Sequence, residues 1–241
     1  GDSYDANRKY GLALGTYTFT NIPKEHPIAI LNTGRPDISY NAVDNSDNPI
    51  IINVAGGDTT EVNGDYYTFT DASGTAINIG DGTFKFMRGK TYKFQGTGSG
   101  ISTGHPFKIY MSGAFVNDSN GDNTGITGST DSITIKIPAE HSTTAGDLYY
   151  QCHVHSGMKK DLTLLYKPVA ETTADASYNF FYGDVTVNVT GNFGDVSVYC
   201  FYHGYMGGEN LLRYVQTCIS NPDSIAKSIS GSTNSITITI P

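Results

Sequence analysis

Apolar and polar residues alternate along much of the chain, which is the period-2 pattern of strands with one buried face. Clear examples are residues 16–19, 133–137 and 185–189. Clusters of Gly, Asp, Asn and Ser interrupt the alternation, for instance at 56–58 and 71–74, at a spacing typical of sandwiches and barrels. No segment shows a helical period of apolar residues. The pattern therefore predicts an all-β fold.

Composition narrows the class of protein. With 241 residues and 38% hydrophobic side chains, the chain has enough apolar material for one large or two ordinary domains. The formal net charge of -8 leaves no basic surface for phosphate groups, so nucleic acid is not an expected partner. No apolar run approaches the ~20 residues needed to cross a bilayer, so no membrane span is predicted.

Parts of the sequence recur, which indicates repeated modules. Residues 15–30 match residues 90–109, since each segment has an alternating strand, a loop and a His-Pro pair that opens a second strand. Residues 148–158 match residues 196–206, and both copies contain Cys-x-x-His-x-x-Met. Each Cys motif is therefore expected to work with one upstream His.

The order of these motifs is nested along the chain. His105 precedes Cys152 by 47 positions, whereas His26 precedes Cys200 by 174. Removing about 125 to 130 residues between the outer pair makes the two separations similar, which suggests that one module is inserted in the other. The alternative is two sequential domains divided near residue 170, an arrangement that leaves the Cys200 motif without its own His.

The nested arrangement predicts the following domains: an outer domain of residues 1–45 plus 175–215, an inserted inner domain of residues 46–174, and a C-terminal strand tail of residues 216–241. Polar segments near both expected borders are typical of linkers between domains.

One His followed more than 40 residues later by Cys-x-x-His-x-x-Met is the ligand set of a mononuclear blue-copper site. Thiolate and thioether sulfur stabilise Cu(I), while imidazole also tolerates Cu(II). A single such motif is weak evidence, because Cys, His and Met also occur in ordinary β cores. Two copies, each with an upstream His-Pro, favour metal binding over a relic site whose residues only pack.

These motifs resemble those of the cupredoxins, and their spacing is similar to the short ligand loop of the amicyanin type. The resemblance covers residues 50–167 and, in two pieces, residues 10–45 and 175–215. It implies two cupredoxin-like antiparallel β-sandwiches, each with one copper ion. The implied ligands are His105, Cys152, His155 and Met158 at an inner site, and His26, Cys200, His203 and Met206 at an outer site.

The segments around these motifs, 104–107, 149–158 and 202–208, are also similar to cupredoxin-like modules of marine phage and bacterial surface proteins. That resemblance implies a structural setting, with an extracellular, cell-surface or virion location. The favoured function is accordingly a structural module of a surface, fibre or virion assembly. The alternative is a one-electron transfer protein with one or two type 1 copper centres.

No catalytic triad, phosphate-binding loop or paired-carboxylate motif is present, so no enzyme is predicted. His153, beside Cys152, is the one candidate for a bridge to a second copper cluster, as in multicopper oxidases. The other repeat has Phe201 at that position, and no second His-x-His pair completes such a cluster. His153 is therefore expected to face solvent.

Two further features have competing interpretations. Asp118, Asn120 and Asp122 resemble the opening of a calcium-binding loop with oxygen ligands at alternate positions, but the later Glu is missing and a polar β-turn is the alternative. The third cysteine, Cys218, is interpreted as a buried free thiol, with an intermolecular disulfide as the alternative.

The C-terminal strand tail of residues 216–241 suggests pairing with another protein chain. Residues 231–241 nearly repeat residues 128–138, and residues 235–240 alternate without interruption. An unpaired alternating strand exposes backbone donors and acceptors that favour pairing with another chain. The opening Gly1-Asp2-Ser3 lacks a Met, and together these features are interpreted as a processed product or fragment that self-assembles with neighbouring subunits through this strand.

Overall fold

The structure is a computed structural model, and it describes residues 9–101, 104–116, 132–171 and 175–216. These residues form strands, turns and loops, and no helix occurs among them. The described residues accordingly include no helix with the length and apolar character needed to span a membrane. The predicted all-β class is confirmed. The predicted strands at 16–19 and 185–189 are confirmed, because they lie within observed strands at residues 15–22 and 183–189. The predicted strand at 133–137 is confirmed except for its last residue, because the observed strand ends at Lys136.

The strands divide between two compact units. The inner unit is Asp44–Leu165, and the outer unit is the described part of Gly1–Val43 and Tyr166–Pro241. The first segment of the outer unit contains β1 (Tyr10–Leu12), β2 (Gly15–Ile22), β3 (Ile28–Leu31) and β4 (Ile38–Ala42). The inner unit contains β5 (Ile50–Gly56), β6 (Thr68–Asp71), β7 (Ala76–Ile77), β8 (Thr91–Ile101), β9 (Phe107–Met111), β10 (Ala114–Val116), β11 (Ser132–Lys136), β12 (Leu148–Cys152) and β13 (Lys159–Asp161). The second segment of the outer unit contains β14 (Tyr166–Ala170), β15 (Asp175–Asn179), β16 (Gly183–Val189), β17 (Asp195–Cys200), β18 (Gly204–Tyr205) and β19 (Leu212–Tyr214).

The described residues of the inner unit form two sheets, with strand orders β11-β8-β5-β6-β7 and β10-β9-β12-β13. Most neighbours are antiparallel, but β5 and β8 run parallel. Wholly antiparallel sheets were expected from the sequence, and this is true of the β10-β9-β12-β13 sheet, whereas the sheet that contains β5 and β8 is mixed. The physical reason is connection length, since the long segment between β5 and β8, which holds β6 and β7, lets the chain cross over and return in the same direction.

The core of the inner unit receives side chains from both of its sheets. Tyr92 and Phe94 on β8 are both fully buried, and they are followed by the half-buried Lys93 and Gln95. The Phe107 ring of the other sheet lies 5.6 Å from that of Phe94 and 5.9 Å from that of Phe69, centroid to centroid. Cys152 belongs to the same buried cluster. One end of the expected ligand loop is thus anchored in the hydrophobic core.

The described residues of the outer unit form three sheets. The orders are β2-β16-β4, β14-β15, and β1-β19-β17-β18 with β3 also paired to β17. The β1 and β19 pair is parallel, and the others are antiparallel. Strands from before Val43 therefore pair with strands from after Tyr166. The β14 strand lies in this unit because it pairs with β15 along its whole length.

We expect Phe94→Ala to destabilise the protein by about 3–5 kcal/mol, because the deletion leaves a cavity between the rings of Phe86 and Phe107. Urea unfolding followed by circular dichroism measures this loss. Val62→Ala is the control, since Val62 is 68% exposed and its truncation is expected to change the free energy of unfolding by less than about 0.5 kcal/mol. Equal effects of the two substitutions would contradict the assigned core.

Candidate metal centres

The same strand pairing positions the expected ligands in both units. In the inner unit, β9 begins two residues after His105 and pairs antiparallel with β12, so that Phe107 faces Cys152 across the sheet. In the outer unit, β3 begins two residues after His26 and pairs with β17, so that Ile28 faces Cys200. The register is the same in both units, and each places the His loop beside the end of the Cys strand.

A backbone hydrogen bond extends this register into the loops. The N–H of His153 donates to the carbonyl of Pro106 at 2.7 Å, and the N–H of Phe201 donates to the carbonyl of Pro27 at 2.8 Å. Each bond joins the residue after the Cys to the Pro after the His. His153 itself is exposed, as expected.

The inner site brings together one thiol and two imidazoles. Cys152 Sγ lies 3.8 Å from His105 Nδ1 and 3.7 Å from His155 Nδ1. The two Nδ1 atoms are 3.0 Å apart. These three residues form a group that can hold a metal ion.

The outer site has the same arrangement. Cys200 Sγ lies 3.9 Å from His26 Nδ1 and 3.4 Å from His203 Nδ1. The two Nδ1 atoms are 3.1 Å apart. This group too can hold a metal ion. His26 thus lies beside Cys200, although 174 positions separate them in the sequence.

The spacing of these atoms fits a single coordinated ion. An ion with bonds of ~2.3 Å to sulfur and ~2.0 Å to nitrogen, at angles of about 120°, separates sulfur from nitrogen by about 3.7 Å. Two such nitrogens are about 3.1 to 3.5 Å apart at angles of about 100–120°. The observed sulfur–nitrogen separations of 3.4 to 3.9 Å and nitrogen–nitrogen separations of 3.0 and 3.1 Å are close to both values.

Exposure differs systematically among the three side chains. Both Cys152 and Cys200 are completely buried. The upstream His of each site is half-buried, whereas the His of each Cys motif, His155 or His203, is exposed. Each site therefore combines a sulfur atom in the protein interior with a nearby imidazole ring that reaches the surface.

The ligand loop of the inner site is closed by its own backbone. Cys152 donates its N–H to the carbonyl of Met158, and Met158 donates its N–H to the carbonyl of His155, both at 3.0 Å. The N–H of His155 also points at Cys152 Sγ, at 3.3 Å. These bonds restrict the loop before any ion is bound.

The two methionines differ in burial. Met158 is 2% exposed and belongs to the same core cluster as Cys152. Met206 is half-buried, and its N–H donates to the carbonyl of Val198 on the strand that leads to Cys200. Both methionines are thus held next to their Cys strands by backbone hydrogen bonds. Their roles as axial ligands stay predictions.

Tyr67 is a site residue that the motifs do not include. It is 4% exposed, and its hydroxyl donates to the carbonyl of His105 at 2.9 Å. Burial, and then the negative charge of Cys152, raise the pKa of Tyr67 far above its usual value. Tyr67 is therefore a neutral phenol that supports the His105 loop. Its contact with the site depends on tertiary packing, so spacing in the sequence carries no signal for it.

Gly57 is a second such residue. A Cβ atom at this position would lie 2.9 Å from Cβ of His105 and 3.1 Å from Cε1 of Tyr67, and the backbone has a φ of +116°. A glycine is needed here both for space and for backbone conformation. The inner His is thus packed against a surface that has no room for a side chain.

The expected calcium ligands Asp118, Asn120 and Asp122, and the third cysteine, Cys218, lie outside the described residues. So does the expected assembly strand, because the described part of the chain ends at residue 216.

Comparison of this chain with protein-family models, with curated proteins and with solved structures finds no match. The assignment of the sites therefore depends on their own geometry.

We expect Cys152→Ser to abolish most metal binding at the inner site, because the thiolate provides the strongest bond in the group. Met158→Leu is the matched comparison, since it keeps the volume of the buried side chain and removes only the thioether that is predicted to be a weak ligand, so most binding should be retained. Isothermal titration with copper measures both. The same stoichiometry for the unsubstituted protein and Cys152→Ser would contradict the assignment.

We expect Gly57→Ala to weaken metal binding at the inner site and to leave the outer site unchanged, because the new methyl group displaces His105. Gly74→Ala is the control, since Gly74 also has a positive φ, of +86°, but has open space around its Cα. Both variants carry backbone strain, and only the first moves a ligand. If both lower the affinity equally, strain rather than displacement of His105 is responsible.

Proposed function

We propose that the two His-Cys-His groups are mononuclear copper centres of the type 1 kind, and that the protein transfers single electrons. The observation that carries the proposal is the repeated arrangement of one buried sulfur and two imidazole nitrogens at separations that suit a single ion. Copper supplies one-electron chemistry when bound at such a site.

The donor set favours copper over zinc. Zinc in a structural site takes four strong ligands in a tetrahedral arrangement. Among the described residues, each group contains only three side chains of the His, Cys, Asp and Glu types. The fourth residue of each sequence motif is a methionine, whose thioether is a weak ligand that suits copper and not zinc.

The protein's own contribution is to hold the donor atoms in place. Strand pairing fixes the Cys and the upstream His relative to each other. The backbone hydrogen bonds within the inner Cys motif restrict His155. Donor atoms that are already in position need little rearrangement when one electron enters or leaves. The exposed rings of His155 and His203 offer the electron a short path to a partner at the surface.

The proposal includes two cupredoxin-like sandwiches, with the inner unit inserted in the outer. Support for a sandwich comes from the shared core of the two inner sheets. Support for insertion comes from the outer unit, in which strands before Val43 pair with strands after Tyr166.

A structural role is the second candidate, and one observation favours it. His26 comes from the first segment of the outer unit, while Cys200 and His203 come from the second. An ion bound there would cross-link the two segments and so stabilise the folded state. In this version the chain is a module of an extracellular, cell-surface or virion assembly. Its expected contact with neighbouring subunits is the tail of residues 216–241.

Copper titration with absorption spectroscopy tests the proposed centres. We expect two equivalents of Cu(II) to bind, with an intense thiolate-to-copper band in the visible range. Cys152→Ser and Cys200→Ser should each bind one equivalent and keep part of the band, and the double variant should lose it. A colourless complex whose stoichiometry does not depend on the cysteines would overturn the proposal.

The full-length chain also distinguishes the two candidate functions. An electron carrier should be monomeric in sedimentation experiments and should cycle reversibly between coloured and bleached forms with a mild one-electron reductant. A structural module should assemble, and its melting temperature should rise strongly on metal binding whether or not the ion can be reduced. Irreversible bleaching of an assembled protein would therefore favour the structural role.

A further inference from the structure

The ammonium group of Lys167 lies against the backbone of the outer ligand loop. Lys167 lies on β14, where it pairs with Tyr178 of β15. Its Nζ donates to the carbonyl of Phe201, the residue that follows Cys200. A positive charge is thereby held one residue away from the buried sulfur.

Three aromatic rings surround this ammonium group. Nζ lies 4.5 Å from the ring centroid of Phe201, 5.5 Å from that of Phe180 and 5.6 Å from that of Tyr199. Phe180 packs edge-on against both other rings, at centroid distances of 5.1 Å and 6.4 Å. Aromatic faces attract cations at such distances. The ammonium group is therefore bound in a cage of which two walls, Tyr199 and Phe201, flank Cys200 in the sequence.

The electrostatic environment of Lys167 includes the outer sulfur. Burial lowers the pKa of Lys167, and the negative charge of Cys200 acts in the opposite direction. The cation–π contacts and the hydrogen bond to Phe201 also favour the charged form.

The inner site has a different neighbour against its sulfur. There the residue next to Cys152 is Tyr67, whose hydroxyl is neutral and bonded to the carbonyl of His105. The two sites thus share their donor atoms but differ in what surrounds the thiolate. The charge of Cys152 acts on the neutral phenol of Tyr67, whereas the charge of Cys200 acts on the ammonium group of Lys167.

We propose that Lys167 tunes the outer centre toward the reduced state, by favouring Cu(I) over Cu(II) there. This inference depends on the proposed function, since it requires a one-electron copper centre. A nearby positive charge repels a divalent ion more than a monovalent one, and it also stabilises electron density on the thiolate sulfur. Reduction of the outer centre takes up one electron from an external one-electron donor and moves no proton.

The size of the effect follows from the partial exposure of Lys167. Two charges near a protein surface interact with an intermediate effective dielectric constant, and solvent screens part of this interaction. We expect the charge to change the ratio of Cu(I) to Cu(II) affinity by about tenfold. For a one-electron couple, a tenfold change equals about 59 mV in the reduction potential.

The test uses the full chain with Cys152→Ser, so that only the outer site forms a thiolate–copper bond. Lys167→Met is introduced there, because methionine keeps the length and the apolar stem of lysine and removes its charge. Lys167→Arg keeps the charge, and Lys9→Met removes the charge of an exposed lysine in the same unit. The reduction potential is measured by spectroscopic titration of the thiolate-to-copper band.

We expect Lys167→Met to lower the reduction potential by about 59 mV, which corresponds to a tenfold change in the ratio of Cu(I) to Cu(II) affinity. The reduction potentials of Lys167→Arg and Lys9→Met should be close to that of the parent protein. Lys167→Gln is a second neutral variant, which guards against a disturbance of the cage by methionine. It should lower the reduction potential as Lys167→Met does. In the Cys200→Ser background, Lys167→Met should leave the inner potential unchanged.

Different outcomes overturn different claims. A potential that stays the same in both neutral variants, or shifts equally in Lys9→Met, overturns the role of Lys167 while leaving the copper centres in place. Absence of a thiolate-to-copper band in the parent protein overturns the proposed function, and the role of Lys167 with it.

Discussion

The register between the strand after each His-Pro pair and the strand that ends at each Cys is the constraint on which both sites depend. Phe107 faces Cys152 and Ile28 faces Cys200. A slip of one residue would turn every side chain of a strand to the opposite face of its sheet. The buried sulfur would then point away from the imidazoles, whatever the loops did. The donor geometry is therefore a property of the sheets first, and of the ligand loops second.

This constraint also explains the pattern of burial. A cysteine at the end of a core strand is enclosed by apolar side chains, while the His three residues later has already left the sheet. Each site thus combines a fully buried sulfur with an exposed ring. Both features suit the proposed electron transfer, since the interior excludes water from the sulfur and the ring reaches the surface.

The two sites have the same donor atoms, one sulfur and two imidazole nitrogens, but different surroundings. In the inner site, Tyr67 supports His105, and Gly57 packs against His105 where a larger residue would not fit. In the outer site, the caged ammonium group of Lys167 is hydrogen-bonded to the residue after Cys200. None of these three residues belongs to the repeated motifs. For the proposed copper centres, differences are therefore expected in redox preference and in sensitivity to substitution, more than in the identity of the ion that they would bind.

The sequence by itself determined the all-β class, several strands, and the six His and Cys residues of the two groups, because period-2 alternation and repeated local spacing are carried by neighbouring residues. Tertiary structure decided the parallel β5 and β8 pair, and the contacts of Gly57, Tyr67 and Lys167 with the sites. Those features join segments that lie far apart in the chain. Local pattern contains no information about which distant strand a residue will pack against, since that choice is made by the whole core at once.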